Sequence, residues 1–423
     1  MQTSKRTIYS WALYDWANSA YATTVMAGFF PLFFKSYYSA DVAATTSTAH
    51  LGFASSISSL IIVLIAPLLG SIADVHSLKK RYLFLFAYLG ILMSAMLSLV
   101  GVGEWQAALF LYILGNIGFM GSNIFYDGLL QSVSTKKNVD FVSGLGFSLG
   151  YLGGGVLFSI NVWMFQDFAF FGFENQAAAI KASFVSVALW WALFSTPLLL
   201  FVKEEKSRHV STTTKLKGGY LRLKKTFSKI RQLRHLSLFL VAYWLYIDGV
   251  DTIIRMAVDY GMALGFDSSN LILALLLVQF VGFPATLAFT HISIYLSTKG
   301  AIFLALFIYL LIIILAVSMK EVYQFYILAV MIALVQGGIQ ALSRSYYSRM
   351  IPKEYAAELF GFYNFVGKFA AIFGPLLIAV VALLSQNSRV SIASISILFI
   401  AGGVLLYFVD EKKGEKELHD ALM

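Results

Sequence analysis

The feature that most limits how this chain can fold is its succession of long, nearly uninterrupted apolar runs. A hydrocarbon core of about 30 Å needs about 20 apolar residues per helix. Twelve segments satisfy that length, at roughly 11–34, 51–73, 82–102, 106–131, 140–163, 181–202, 236–260, 268–296, 299–318, 322–347, 356–384 and 388–409. None shows the two-residue alternation of a barrel strand, so they read as transmembrane helices. Apolar residues make up 59% of the chain and charged ones 13%, too little polar surface to coat a water-soluble particle. Soluble enzyme, nucleic-acid binder and disordered scaffold are thereby excluded. The absence of cysteine removes disulfides, thiolate catalysis and zinc–cysteine sites. The first span carries Asp15 and Asn18 and no small-residue cleavage site, which makes it a retained helix rather than a signal peptide.

The net charge of +9 is localised. Lys203 to Arg234 holds eleven Lys/Arg against Glu204 and Glu205, and the rest of the chain is neutral. Such a loop suits anionic lipid on a cytoplasmic surface and needs no nucleic acid. With both termini in the cytoplasm, 25 of the 31 Lys/Arg fall on that side, and four (Lys35, Lys181, Lys320, Arg389) on the other. The positive-inside rule selects this orientation. Arg255 and Lys368 then remain as basic residues within the membrane.

A shift of 217 residues carries the second to fifth spans onto the eighth to eleventh: Pro67 onto Pro284, Glu104 onto Glu321, Gly144 onto Gly361 and Gly150 onto Gly367. The first and seventh spans align with a different shift, through Leu13-Tyr14-Asp15 and Leu245-Tyr246-Ile247-Asp248. The chain therefore divides into a six-helix bundle at 1–202, a basic cytoplasmic linker at 203–235, a second six-helix bundle at 236–410 and a cytoplasmic tail at 411–423. Two parallel six-helix halves are the organisation of major facilitator transporters, whose halves rock about a site near the midplane.

A charged side chain at mid-membrane costs about 2.5–3.5 kcal/mol even on a lenient scale, so each marks a functional candidate. The intramembrane polar residues lie mainly on the first, fourth, seventh and tenth spans. At 100° per residue, Asp248, Asp251, Arg255 and Asp259 share an arc of about 80°, and Asn116, Asn123 and Asp127 one of about 40°. Depth separates their roles. Asp248 and Lys368 lie about 18 Å into their helices, while Asp15 and Asp127 lie only about 6–9 Å from the cytoplasmic ends of theirs. The substrate-binding candidates are Asn18, Asn116, Asn123, Asp248, Asp251, Arg255, Gln336, Gln340, Asn364 and Lys368. Arg344 occupies the repeat position of Asp127, so an Asp127–Arg344 or Asp15–Arg344 bridge is expected to close the cytoplasmic side. Asp15, Asp127 and Asp248 are proton-coupling candidates, with Asp15 and Asp127 the less obviously paired acids. Structural roles compete with each assignment: Asp251 and Arg255 can neutralise each other along one helix, Asn and Gln often only bond neighbouring helices, and the Gly144–Gly155 glycine row reads as helix packing rather than a phosphate loop.

Several stretches stand out: Ala12-Leu-Tyr-Asp-Trp-Ala-Asn-Ser-Ala-Tyr21, Gly150-Tyr-Leu-Gly-Gly-Gly155, Asp248 to Met256, Gln336 to Ser345 and Gly367 to Pro375. Together they resemble the signatures of the vacuolar amino-acid effluxer-like branch of the major facilitator superfamily. Gly70, Asp74, Lys79, Lys80 and Arg81 are similar to the superfamily's gating motif between the second and third helices, with Val75 in place of a basic residue and Ser77 in place of a glycine. The repeat image at Leu287 to Thr298 has His291 at the Asp place, so gating control from this motif is expected on one side only. Tyr151 stands where a related antiporter motif has proline. The resemblance implies an all-α fold of twelve transmembrane helices and movement of amino acids across a membrane.

No P-loop, cofactor motif or metal-ligand spacing is visible, so energy is expected from an ion gradient, with protons as the favoured coupling ion. The rivals are a drug or siderophore exporter of the same superfamily, a receptor on a transporter fold and a membrane enzyme. The cell inner membrane is the expected location, and a monomer suffices for the fold.

Overall fold

In lipid every backbone N–H and C=O must be satisfied within its own segment, and among the described residues the chain meets this demand with helices. The computed structural model describes residues 4–42, 44–204, 233–263, 268–385 and 388–422. In chain order the helices are α1 (Lys5–Ala20, continued through π-helical Tyr21–Phe29, Phe30–Phe33 and Phe34–Tyr38), α2 (Ala44–His76), α3 (Lys79–Met96), α4 (Trp105–Val133), α5 (Val139–Gln166), α6 (Gln176–Phe201), α7 (Arg234–Ala263), α8 (Ser268–Leu296), α9 (Thr298–Ser318), α10 (Val322–Met350), α11 (Ala356–Ser385), α12 (Ser388–Ser394 and Ser396–Tyr407) and a short tail helix α13 (Glu411–Leu422). Ten helices are long and apolar enough to cross a membrane among the described residues. The two of the expected twelve spans outside that set are α1, divided by π-helical turns, and α11, many of whose side chains lie outside the described residues.

The internal repeat is visible in the helix ends. Trp105–Val133 and Val322–Met350 start and stop 217 residues apart, and Pro67 and Pro284 lie inside α2 and α8. Packing repeats as well: α1 lies on α5 as α7 lies on α11, and α3 lies on α4 as α9 lies on α10. The two bundles meet along α2 with α11 and α5 with α8. Helices alternate in direction, so the ends of α2, α4, α8 and α10 and the starts of α5, α7, α11 and α13 share one face, here called the basal face.

Tight turns punctuate that face. Ser77 and Ser297 adopt φ of 53° and 66°, the left-handed region in which glycine is unstrained. The glycine usual at the place of Ser77 in the resembled motif is explained by this turn.

The glycine row of α5 is a packing surface. A Cβ at Gly146 would lie 2.6 Å from Asp15 Oδ2 and 2.7 Å from the Tyr126 hydroxyl, and one at Gly150 would lie 2.7 Å from Ser19 Oγ. Without side chains at these positions α1 and α5 approach closely, as small-residue stripes allow in lipid. Aromatic rings fill the bundle around that contact, with Trp11 stacked on Tyr126 at 4.2 Å between centroids.

Candidate functional site

Between the bundles lies a cavity of about 210 Å³. Six helices line it: α1 through Asp15, α4 through Asn123, Tyr126 and Asp127, α5 through Phe147, α7 through Tyr243, Ile247 and Asp251, α10 through Gln340 and Arg344, and α11 through Tyr363, Asn364 and Gly367. The sequence reading had the cavity on the first, fourth, seventh, tenth and eleventh spans; α5 is an addition.

Arg344 is the hub of its basal end. Its Nη1 donates to Asp127 Oδ1 at 2.9 Å, and its Nη2 lies 3.7 Å from Asp15 Oδ2. Nε donates to Ser143 Oγ and Nη2 to the Ser143 carbonyl, both at 2.9 Å. The guanidinium lies over Phe147, 4.3 Å from the ring centroid, a favourable cation–π placement. The second oxygen of Asp127 accepts from Asn364 Nδ2 at 3.1 Å, and the Tyr126 hydroxyl donates to Asp15 Oδ2 at 2.8 Å. Arg344 and Asp127 are both buried. A buried charge needs a partner and its remaining hydrogen bonds satisfied, and this cluster supplies both across the seam between the bundles. The Asp127–Arg344 contact expected from the repeat is present and Asp15 lies against the same guanidinium, so neither is the less paired acid the sequence suggested: α10 delivers its arginine to the seam at their level.

The remaining candidates separate into four groups. Asp251, Gln340, Asn364 and Asn123 face the cavity. Asn18, Asn116 and Asp248 are buried elsewhere: Asn18 donates to Asn123 at 2.6 Å, Asn116 accepts from the Tyr21 hydroxyl at 3.2 Å, and Asp248 accepts from Thr252 at 3.5 Å, facing Gly374. Gln336 lies off the cavity wall, with a buried carboxamide oxygen that has no hydrogen-bond partner among the described residues. The side chains of Arg255 and Lys368, and most of the basic 203–234 segment expected to face anionic lipid, lie outside the described residues.

Beyond the hub towards the basal face, the bundles are stitched together. Asp74 accepts from the backbone N–H of Ala357 at 3.1 Å and of Glu358 at 2.8 Å, capping α11 from the opposite bundle, and it pairs with Lys79 at 2.8 Å. Glu204 accepts from the backbone N–H of Lys79 at 2.8 Å and of Lys80 at 3.3 Å. Arg81 is exposed on α3. Gln131 donates across the seam to the carbonyls of Ser348 at 2.6 Å and Ile351 at 2.8 Å. Asp74→Asn keeps the shape but removes the charge from a helix N-terminus. It is expected to weaken this cap by about 1 kcal/mol, which thermal unfolding in detergent will register as a lower midpoint.

Sequence reasoning missed Tyr126, Phe147, Tyr243, Ile247 and Tyr363 as lining residues. Tyr243 and Tyr363 stack with centroids 4.2 Å apart and form an aromatic wall. Tyrosines are so frequent in this chain, 23 in all, that none stands out without the fold.

A profile of the family described as "Vacuole effluxer Atg22 like" matches residues 41–135 and 130–419. The chain belongs to this family. It is 41% identical over 410 residues to the uncharacterized MFS-type transporter YxiO of Bacillus subtilis, covering 95% of this chain and 94% of that protein. The solved structure of the human organic anion transporter MFSD10 (TETRAN) superimposes with a TM-score of 0.74 at 14% identity, over 95% of this chain and 99% of that one. The proton:xylose symporter XylE superimposes with a TM-score of 0.71 at 12% identity, over 98% and 97%. The fold is thus the major facilitator fold, and the protein is a multi-pass membrane transporter of that superfamily, not an enzyme. Its solute is a small molecule, and the cavity is the place to look for it.

Proposed function

We propose that this transporter carries amino acids or similar zwitterionic metabolites through the Asp15–Asp127–Arg344 cavity by alternating access, coupled to protons. The observation that carries the reading is a small cavity lined by both signs of charge. Arg344 is a guanidinium suited to bidentate recognition of a carboxylate. Asp15, Asp127 and Asp251 outnumber it among the described lining residues, which suits a solute that also brings an ammonium group. Asn123, Gln340 and Asn364 add neutral donors and acceptors, and Tyr243 with Tyr363 offers a flat wall to a side chain. Drug-sized ligands occupy sites of about 300–1,000 Å³, so the volume here favours a metabolite over the multidrug or siderophore alternative.

Proton coupling rests on the carboxylates at the seam. Opening the basal side must separate Arg344 from Asp127, and moving a cation away from a carboxylate in a low-dielectric site favours its protonated form. The positive-inside rule places the basal face, both termini and the basic linker in the cytoplasm of a bacterial inner (plasma) membrane, and the protein acts as a monomer.

Uptake of radiolabelled zwitterionic amino acids into proteoliposomes decides the matter. The expected result is saturable uptake that is competed by other amino acids but not by the matching amine or carboxylic acid alone. Uptake should rise when a pH gradient is imposed. Flux indifferent to the gradient overturns the coupling, and competition only by bulky amphipaths overturns the substrate.

A further inference from the structure

The repeat predicts that what Asp74 does on one side of the seam should be done by residue 291 on the other, and residue 291 is an exposed histidine. The structure shows where the missing acid has gone. Asp74 meets Ala357, and the repeat partner of Ala357 is Asp140, in the first turn of α5. On the α2–α11 side the acid sits at the end of α2 and receives from the start of α11. On the α5–α8 side the acid sits at the start of α5 and receives from the end of α8. The repeat image of the motif lacks its acid, as expected from sequence, and an acid on the other member of the contacting pair, Asp140, meets the second bundle instead.

Asp140 is heavily engaged. Thr298 Oγ1 donates to its Oδ2 at 2.7 Å and Ser293 Oγ at 3.2 Å, Ser345 Oγ donates to Oδ1, and Arg349 Nη2 pairs with Oδ2 at 2.8 Å. All four partners belong to the second bundle. Arg349 in turn donates to the Lys136 carbonyl at 3.3 Å and to Thr298 Oγ1.

The tail helix α13 closes over this cluster. Glu411 lies 3.9 Å from Arg349, and Glu415 pairs with Lys136 in the α4–α5 turn of the first bundle. Glu417 accepts from the His235 backbone N–H at 3.1 Å, at the start of α7, and Gly414 packs against Met350. Burial raises the Glu411 carboxyl above its ordinary value, against the pull of Arg349 and with the push of Asp140. The tail thus touches both bundles at the point where they must part.

We propose that Asp140, Arg349 and the tail helix form a second latch, charge-relocated relative to the Asp74 latch, that holds the basal face shut, with the docked tail as its brace. A mutual constraint follows. The basal side opens only when Asp74, Arg344 and Asp140 all let go, and anything that lifts α13 weakens one of the three. This rests on the rocking of two bundles and not on which solute is carried, so failure of amino-acid uptake leaves it standing.

The chain contains no cysteine, which makes a single introduced thiol a clean reporter. Ser348→Cys places one at a buried position on the basal side of α10, and its labelling by a charged maleimide measures basal opening without any substrate. In full-length protein carrying this reporter, Asp140→Asn is expected to speed labelling about tenfold, the worth of lost hydrogen bonds to a charged group. Arg349→Gln is expected to act in the same direction, and Asp140→Glu to restore slow labelling. Deletion of residues 411–423 is expected to speed labelling by a smaller factor, and to add little to Asp140→Asn if both act through one latch. Wild-type labelling rates in Asp140→Asn and Arg349→Gln overturn the latch. A wild-type rate in the deletion alone overturns the role of the tail. Should Asp140→Asn fail to fold, Arg349→Gln and the deletion carry the test.

Discussion

Arg344→Met is expected to abolish transport and to destabilise the protein by about 3–5 kcal/mol, the cost of removing one partner of a buried ion pair. The side chain contributes the charge that Asp127 faces at 2.9 Å and three donors that Ser143 and Asp127 would otherwise lack. Methionine fills much of the volume over Phe147 but restores none of this. The control is the double variant Arg344→Met with Asp127→Asn, which removes one of the stranded charges. Its stability should recover by well over the ~0.5 kcal/mol expected of independent sites, while transport stays absent. Thermal unfolding in detergent and proteoliposome flux read the two effects separately. Additive destabilisation would show that the bridge carries no coupling energy.

The second large effect is steric. Gly146→Val is expected to lose most transport activity and about 1–3 kcal/mol of stability, because even a Cβ there would sit 2.6 Å from Asp15 and 2.7 Å from Tyr126. Neither neighbour is free to retreat. Asp15 is held by the Tyr126 hydroxyl at 2.8 Å, and Tyr126 is stacked on Trp11, whose indole N–H donates to the Tyr126 carbonyl at 3.1 Å. The new side chain must push α1 away from α5 at the level of the hub. Gly172→Ala, in an open loop with nothing within 4 Å of a Cβ but a φ of 77°, provides the contrast: strained backbone, full activity. Equal losses of activity in the two variants would refute the packing argument.

How far the site was legible can be traced residue by residue. The juxtaposition of Asp127 and Arg344 follows from the repeat, since residues at equivalent places on α4 and α10 face each other across a pseudo-twofold axis in this fold. The choice between Asp248 and Asp251 does not. They lie about 60° apart on α7, and the rotation that points Asp251 at the cavity and Asp248 at Thr252 is set by packing. Gly249 lies against Phe399 of α12, where a Cβ would come within 2.8 Å of the ring, and that contact fixes which face of α7 turns inward. The Asp140 latch was hidden for a related reason. A repeat comparison asks whether the same residue type recurs at the same place, and here the acid recurs on the other member of the contacting pair. The π-helical course of α1 from Tyr21 to Phe29 has no sequence signature either, because a shift in hydrogen-bond register answers to the neighbours a helix must pack against.

Sequence by itself determined that the chain is a membrane protein of two repeated helical halves, and which spans carry ionisable groups. Both follow from local physics: apolar runs must cross lipid as helices, and a charge within such a run demands a reason. Only the tertiary structure decided which of those charges meet. Pairing across the seam depends on the rotation and height of each helix, and these are set by glycine contacts and ring packing, some against the charges themselves as at Gly146 and Tyr126 and some remote from them as at Gly249.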